Sequence, residues 1–234
     1  MNITTILFDL DGTLLPMDQE VFVKRYFSLL AAKAAPRGYE PQKLVQSVWA
    51  GTAAMVKNDG SCRNEQAFWN TFAQIYGQQA LADKPLFDEF YAREFQQAQD
   101  SCGFNPEAAQ AVYSIKAAGY RVSLATNPIF PAIATQSRIR WAGLEPEDFA
   151  LYTTYENSCY CKPNLDYYRA IVSQMDVQPE ECLMVGNDVA EDMVARQLGM
   201  QVFLLTDCLI NKPNADIRQY PHGSFSELLA YLHL

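Results

Sequence analysis

Strands that alternate with helices in the second half of the chain constrain its fold more than any other feature. Short apolar segments rich in Val, Leu and small residues occur at 120–126, 183–186 and 201–205, and a further short strand is predicted at 150–155. Apolar residues at helical spacing lie between them, often followed by a glycine. The helices predicted in this way are 106–118, 129–142, 165–175 and 190–198. Such alternation is typical of a parallel sheet with helices on both faces, so we predict an α/β fold.

One more apolar segment, residues 4–10, opens the chain and is bounded by Gly12. Its length and composition predict a buried strand. A single strand needs partners to satisfy its backbone hydrogen-bonding groups. We therefore expect it to join the sheet formed by the later strands.

The segment between this strand and the later ones has a different character. No alternating apolar pattern stands out there, but apolar residues recur at helical spacing in 18–33, 41–57, 64–76 and 85–99. We predict that an all-helical cap, residues 17–101, is inserted into an α/β core formed by residues 1–16 and 102–234. The aromatic residues Trp49, Phe68, Trp69 and Phe72 are predicted to pack inside this cap.

The charge and cysteine content exclude some classes of function. The net charge of −9 disfavours nucleic acid, whose binding proteins present basic surfaces. No apolar run approaches the roughly 20 residues that span a bilayer, and the N-terminus lacks a secretory signal, so we expect a cytoplasmic protein that does not bind membranes. Among six cysteines only Cys159 and Cys161 lie close together in the sequence. Because a zinc site requires a second such pair, we expect reduced thiols and no structural zinc.

Asp9 and Asp11 stand at the end of the first strand and are the strongest candidates for chemistry. Two residues apart on an extended backbone, they point to the same side, and Gly12 lets the chain turn away. Like charges repel at this distance, so the pair favours a bound cation, or a nucleophile next to a group that transfers a proton. An EF-hand calcium loop starting at Asp9 is disfavoured because its sixth position requires glycine, where Leu14 stands.

Three further polar positions follow predicted strands. Thr126 follows one strand, Lys162 follows the next, and Asp188 with Asp192 follows a third. Open α/β sheets bind ligands at the carboxyl ends of their strands, so these side chains are expected to converge on the first two aspartates. Taken alone, Thr126 is better explained as the solvent-facing end of a strand and Lys162 as a solvated loop lysine, and the two aspartates could belong to a helix cap and first turn.

Together and in this order, these residues resemble the motifs of the haloacid dehalogenase-like hydrolase superfamily, in its phosphatase branch. The segment from Asp9 to Thr13 matches the first motif, Thr126 the second, Lys162 the third, and the segment from Gly186 to Asp192 the fourth. The resemblance implies a Rossmann-like core with a helical cap of the C1 type inserted just after the first motif. The helical block predicted from periodicity occupies that position.

The resemblance also implies catalytic roles. Asp9 would attack phosphorus and form an aspartyl-phosphate, while Asp11 would protonate the leaving oxygen and then activate water. Thr126 and Lys162 would hold the phosphoryl oxygens, with Asn127 as a further substrate-binding residue.

A Mg²⁺ ion is the cofactor that the resemblance implies. Its protein ligands would be the Asp9 side chain, the Asp11 backbone carbonyl and the Asp188 side chain, which are hard oxygen donors. Asp192 would lie behind them and orient a neighbouring group such as Lys162.

The predicted function is a Mg²⁺-dependent phosphatase acting on a small phosphorylated metabolite. A phosphomutase of the same superfamily and a non-catalytic protein that binds a phosphorylated ligand remain alternatives. A dehalogenase is disfavoured because it needs no proton transfer by Asp11, and nothing singles out the cap lysine that a phosphonate hydrolase would require. The polar loop 58–63 either faces the site, with Arg63 binding a second anionic group, or forms a surface turn.

Overall fold

A computed structural model describes residues 3–234. Its centre is a sheet of five strands: β1 (Thr5–Phe8), β2 (Arg121–Leu124), β3 (Cys182–Gly186), β4 (Gln201–Leu205) and β5 (His222–Gly223). The strand order is β2-β1-β3-β4-β5, and every neighbouring pair is parallel. This confirms the predicted α/β fold with a Rossmann-like parallel core.

Strand β1 is buried and joins the sheet, as predicted, and it lies between β2 and β3. Ile6 is paired with Val122 on one side and with Leu183 on the other. Side chains alternate between the two faces: Ile6 and Phe8 belong to one apolar cluster and Leu7 to another. Because the chain continues from β1 to β2 on one side and later returns as β3 on the other, a crevice forms at the carboxyl end of β1.

The residues after β1 form the predicted helical cap. Its helices are α1 (Gln19–Ala34), α2 (Pro41–Val56), α3 (Asn64–Tyr76) and α4 (Lys84–Ala92), with 3₁₀ helices at Gln78–Asp83 and Glu94–Ser101. Asp18 begins α1 as predicted, since its carboxylate accepts hydrogen bonds from the Glu20 and Val21 N–H groups.

The predicted helix 85–99 is wrong in its continuity. The structure breaks it at Arg93, where φ is −122° and ψ is −77°. Phe87, Phe90 and Phe95 are all buried. The step of five residues from Phe90 to Phe95 is out of phase with a helix of 3.6 residues per turn, so only a break brings both rings into the same core.

The two segments that connect the cap to the core lie side by side, joined by an antiparallel bridge between Met17 and Cys102. The boundaries 16/17 and 101/102 lie at this bridge. We therefore retain residues 1–16 with 102–234, and residues 17–101, as the proposed domains.

The core helices are α5 (Pro106–Ala117), α6 (Ala132–Trp141), α7 (Leu165–Met175) and α8 (Phe225–Tyr231). The predicted strand 150–155 is wrong in its extent. Among the described residues, this segment forms a single β-bridge with β2, between Tyr152 and Leu124. Beyond that bridge the chain turns to the cap, where the Tyr155 carbonyl accepts a hydrogen bond from Glu65 N–H. The predicted helix 190–198 is a shorter 3₁₀ helix, Met193–Leu198. No helix within residues 3–234 is long and apolar enough to cross a membrane.

Candidate active site

The turn after β1 places the first two aspartates. Asp9 continues the strand, with its N–H donating to the Val185 carbonyl at 2.9 Å. Gly12 has φ of +84°, and a Cβ there would lie 2.3 Å from the Asn187 side-chain nitrogen. Only glycine satisfies both conditions, so the sharp turn predicted after Asp11 is required by its surroundings.

Asp9 is held between an ammonium group and a hydroxyl group. Its Oδ1 accepts a hydrogen bond from Lys162 Nζ at 2.9 Å, and its Oδ2 lies 3.0 Å from Thr13 Oγ1. Lys162 Nζ also donates to Asp192 Oδ1 at 2.7 Å. Burial opposes the charge of Lys162, but the carboxylates of Asp192 and Asp9 raise its pKa well above the usual range. A buried, charged ammonium therefore lies beside the Asp9 carboxylate.

Asp192 supports this arrangement from behind. It is fully buried, and its Oδ2 accepts a hydrogen bond from the Asp188 N–H at 2.9 Å. A Cβ on Gly186 would lie 2.1 Å from that same oxygen, so a side chain there would displace Asp192. The Asp192 carboxylate thus fixes both Lys162 and the loop that carries Asp188.

Asp188 presents its side chain to the same cavity. Its Oδ1 accepts hydrogen bonds from the N–H groups of Ala190 and Glu191 at 2.7 and 3.0 Å. These bonds hold the carboxylate in one orientation, as in a helix cap.

Asp11 contacts a residue that the sequence did not single out. Its Oδ2 accepts a hydrogen bond from Arg138 Nη1, while its Oδ1 is buried and has no hydrogen-bond partner within residues 3–234. Arg138 is fully buried on α6, with its guanidinium carbon 4.4 Å from the centre of the Phe130 ring. Burial raises the pKa of Asp11 although the positive charge of Arg138 lowers it. Asp11 is therefore suited to retain a proton close to Asp9.

Thr126 and Asn127 end the neighbouring strand segment and line the cavity. The Thr126 carbonyl is fixed by hydrogen bonds from Thr153 Oγ1 at 2.6 Å and Tyr167 Oη at 2.8 Å. Asn127 Nδ2 donates to Glu191 Oε2 at 3.0 Å. Its Oδ1 is buried without a partner in the described part of the chain.

The cavity above these residues has a volume of about 270 Å³ and lies between the core and the cap. Asp9, Asp11, Asn127 and Asp188 contribute to its polar floor. Lys162 lies behind the floor, in contact with Asp9. The structure therefore brings together the core residues that the sequence predicted for the site.

Arg63 is the predicted residue that the structure does not bring to the cavity. It is exposed, and its Nη1 donates to the Asn157 carbonyl at 2.8 Å. The loop 58–63 is also held by a hydrogen bond of its own, which the buried Asn58 donates from Nδ2 to the Cys62 carbonyl at 2.9 Å.

The prediction that four cap aromatics pack inside the cap is wrong for Trp49. This side chain is 49% exposed and lines the cavity, together with Phe68 and Trp69. Phe72 is fully buried, as predicted.

The comparison with protein families agrees with these motifs. A model described as haloacid dehalogenase-like hydrolase matches residues 3–199. The chain belongs to this family. No curated protein matches it.

Solved structures show that the fold of this haloacid dehalogenase-like (HAD) hydrolase is shared over nearly the whole chain. A HAD phosphatase from Thermococcus onnurineus is 15% identical, with a TM-score of 0.62 and coverage of 98% of each chain. A 2-haloacid dehalogenase from Pseudomonas syringae pv. Tomato DC3000 is 18% identical, with a TM-score of 0.65 and coverage of 99% of this chain and 98% of the other. A putative HAD hydrolase from Bacillus subtilis, bound to magnesium, is 16% identical, with a TM-score of 0.58 and full coverage of both chains.

Sequence reasoning assigned no role to three residues of the HAD-like site: Thr13 and Glu191, which lie within the first and fourth motifs, and Arg138, which lies outside all four. Thr13 Oγ1 lies 3.0 Å from both Asp9 Oδ2 and Asn187 Oδ1, so its single proton is shared between two acceptors. Arg138 had a detectable signal, because it lies four residues after Ala134 on the otherwise apolar stripe of a predicted helix. An arginine at such a position needs a buried partner.

The oxygen atoms of this site fit a hard divalent cation. No group of three or more His, Cys, Asp or Glu side chains within residues 3–234 could hold a metal on its own. Two carboxylates, those of Asp9 and Asp188, line one cavity, and the Asp11 backbone lies beside them. Two carboxylates and one carbonyl, completed by water, are a typical ligand set for Mg²⁺, because this ion usually keeps several water ligands and is rarely bound by protein atoms alone. All six cysteines are free thiols.

Proposed function

We propose that this HAD-like hydrolase is a Mg²⁺-dependent phosphatase acting on a small phosphorylated metabolite. One observation carries the proposal: the Asp9 carboxylate, held by Lys162 and Thr13, lies beside a second carboxyl group whose pKa is raised. A nucleophile next to a proton carrier is the pairing that ester hydrolysis by two displacements requires.

In the first displacement an Asp9 oxygen attacks phosphorus. A bond forms between that oxygen and phosphorus while the bond from phosphorus to the ester oxygen breaks. Asp11, whose pKa burial raises, gives its proton to the departing alkoxide, so a neutral alcohol leaves. Lys162 contacts Asp9 from behind the cavity floor, where its positive charge would offset the charge of the phosphoryl oxygens, and Thr126 is the candidate to hold them.

In the second displacement water attacks the phosphorus of the aspartyl-phosphate. Asp11, now ionised, accepts a proton from the water while the bond from phosphorus to Asp9 breaks. Inorganic phosphate leaves, and both aspartates return to their initial states. Arg138 keeps Asp11 in position through both steps by its hydrogen bond to Oδ2.

The proposed cation would be held by the Asp9 carboxylate, the Asp11 backbone carbonyl and the Asp188 carboxylate. When bound, Mg²⁺ would reduce the repulsion between the attacking carboxylate and the phosphate oxygens. The hydrogen bonds of Asp188 to the N–H groups of Ala190 and Glu191 support this role, because they fix one carboxylate oxygen and orient the other.

A phosphatase is favoured over a dehalogenase by Asp11. A halide ion leaves without a proton, whereas an alkoxide requires one at neutral pH. A partly buried carboxyl group with a raised pKa beside the nucleophile fits the second case.

The test is phosphate release from a panel of small phosphate monoesters with Mg²⁺. We expect turnover that EDTA abolishes and that Asp9→Asn lowers by at least about 10³-fold, since the nucleophile is lost. Asp166→Asn, a substitution of an exposed carboxylate on α7, is the matched control and should leave turnover unchanged.

Other outcomes would overturn the proposal. Phosphoryl transfer to a second hydroxyl without phosphate release would indicate a mutase. Binding of phosphorylated ligands without turnover would indicate a non-catalytic protein. Halide release from a 2-haloacid, with inactivity on the whole phosphate panel, would indicate a dehalogenase.

A further inference from the structure

The cap side of the cavity is an aromatic wall. Its main members are Phe22, Tyr26, Phe27, Trp49, Phe68 and Trp69. Within residues 3–234, no Lys, Arg or His side chain lines the cavity, and its charged lining residues are all carboxylates of the core. The cap thus offers no cation to a second anionic group of a substrate.

The hydroxyl groups on this wall are already paired with other protein groups. Tyr26 Oη and Tyr91 Oη are 2.9 Å apart and form a hydrogen bond with each other. Thr52 Oγ1 donates to the Val48 carbonyl at 2.9 Å, within the same helix. A hydroxyl-rich substrate that displaced water from this wall would find few free partners there, the clearest being Trp69 Nε1, which has no hydrogen-bond partner within residues 3–234.

Trp49 shows that the wall continues to solvent. It is 49% exposed, and its ring centre lies 5.5 Å from that of Phe27, with an angle of 50° between the planes. Large aromatic side chains left partly in water beside a cavity are typical of binding surfaces for apolar groups.

Resting on the phosphatase function proposed above, we infer that the substrate is a phosphate monoester of an uncharged, apolar alcohol, with a ring or a branched chain that packs on this wall. An apolar group loses water on both sides when it packs there. A second carboxylate or phosphate would instead be desolvated near the carboxyl groups of the core, without a cation of the cap to pair with it.

The turnover test uses three primary alkyl phosphates, so that the leaving alkoxide is chemically matched. They are 3-phenylpropyl phosphate, propyl phosphate and 3-carboxypropyl phosphate. We expect kcat/KM to decrease in that order, with the phenyl compound at least roughly 100-fold above the carboxyl compound, since single apolar groups give about 10–200-fold discrimination.

The binding test separates this inference from the proposed phosphatase function. The corresponding phosphonates cannot be hydrolysed, and their affinities are measured by calorimetry in the presence of Mg²⁺. Tighter binding of the phenyl phosphonate without turnover of any phosphate would contradict the phosphatase and support the apolar site. Turnover without a phenyl preference, or no phenyl preference in binding, would overturn the apolar site.

Trp49→Lys adds a cation to the wall, and Val56→Lys is its control. Val56 is on the same helix, is 45% exposed and is not a lining residue. We expect Trp49→Lys to shift the ratio of phenyl to carboxyl turnover and affinity by at least about tenfold toward the carboxyl compound. An equal shift in Val56→Lys, or no shift in either variant, would contradict the inference.

Discussion

Arg138 is the single residue on which the state of Asp11 depends most directly. Its guanidinium is buried between the Asp11 carboxylate and the Phe130 ring. Arg138→Met would leave a carboxyl group at the cavity floor without its cation. We expect the free energy of unfolding at neutral pH to fall by about 3–5 kcal/mol, the usual consequence of removing one partner of a buried pair.

The loss of stability in Arg138→Met should be smaller at low pH than at neutral pH. The raised pKa of Asp11 means that its folded form holds a proton more tightly than its unfolded form does. Its contribution to stability is therefore complete below the ordinary aspartate pKa and decreases as the pH rises through the folded pKa. Without Arg138 the pKa of Asp11 in the folded protein rises further. When the pH is lowered from about 7.5 to about 5, the Arg138→Met variant should therefore recover about 1 kcal/mol or more of its free energy of unfolding.

Urea unfolding in EDTA at both pH values measures this effect without a metal at Asp11. Arg140→Met is the matched control, because Arg140 is on the same helix and its side chain, within residues 3–234, pairs only with the exposed Glu145. Arg140→Met should lower the free energy of unfolding by less than about 0.5 kcal/mol at both pH values. A loss in Arg138→Met that is equal at both pH values would show that Asp11 does not carry the dependence.

Among single residues, the sequence predicted those site residues that come after the end of a predicted strand. Asp9, Lys162 and Asp188 each follow a predicted strand, and parallel topology brings such positions together. Arg138 lies instead within a helix, and its partner is 127 residues away in the sequence. Only the folded packing of α6 against the β1 turn shows that they meet.

The first turn of α3 attaches the cap to the core. Asn64 N–H donates to the Ser158 carbonyl at 2.8 Å, and its Nδ2 lies 3.2 Å from the Pro128 carbonyl and 3.3 Å from that of Tyr160. Its Oδ1 accepts a hydrogen bond from Asn58 Nδ2 at 2.8 Å. One buried amide therefore joins this helix to two segments of the core.

Asn64→Ala should loosen this attachment. It removes the donor to the Pro128 and Tyr160 carbonyls and one of the two hydrogen bonds of Asn58 Nδ2, which costs about 1–3 kcal/mol. Because α3 carries Phe68 and Trp69 in the cavity wall, we also expect KM to rise severalfold. Urea unfolding and steady-state kinetics measure the two effects.

Asn70→Ala is the control for that change, since Asn70 is an exposed asparagine on the same helix. It should change stability by no more than about 0.5 kcal/mol. Equal stability of the two variants would mean that the Asn64 amide does not hold the cap.

Elements were predictable where a long periodic pattern defined them. The helix 64–76 was predicted from four aromatic and aliphatic residues, and its bounds are confirmed as Asn64–Tyr76. Strand β5 and helix α8 were missed, because elements of 2 and 7 residues are too short for periodicity to appear. The segment 150–155 has the composition of a strand, but Tyr155 leaves the sheet to contact the cap.

For the whole molecule, alternation of strands and helices predicted a parallel sheet but not the strand order. The position of β1 between β2 and β3 is what places Asp9 and Asp188 on the same cavity. The aromatic wall was beyond sequence reasoning, because an apolar stripe on a cap helix can face its own core or an empty cavity with the same spacing. Trp49 is an example, since the helical spacing of apolar residues in 41–57 predicted that it is buried, whereas about half of its surface is exposed.

The charge balance of the whole site predicts that Mg²⁺ stabilises the folded protein. Five carboxyl groups, those of Asp9, Asp11, Asp188, Glu191 and Asp192, line one cavity, and Asp11 is the one proposed to hold a proton. Against them stand the buried cations Lys162 and Arg138. A divalent cation that binds only the folded state at about 100 times its Kd adds about 2.7 kcal/mol. For a chain of this size, that energy corresponds to a rise in Tm of about 5–10 °C.

Thermal unfolding with Mg²⁺ and with EDTA measures this rise, and two variants locate the site. Asp188→Asn removes a proposed ligand charge and should abolish most of the Mg²⁺-dependent rise, because a neutral amide binds Mg²⁺ less strongly than a carboxylate does. Asp216→Asn removes an exposed carboxylate that pairs with Arg218 away from the cavity lining, and it should keep the full rise. A rise of equal size in both variants would show that the cation binds elsewhere, whatever the enzyme's activity.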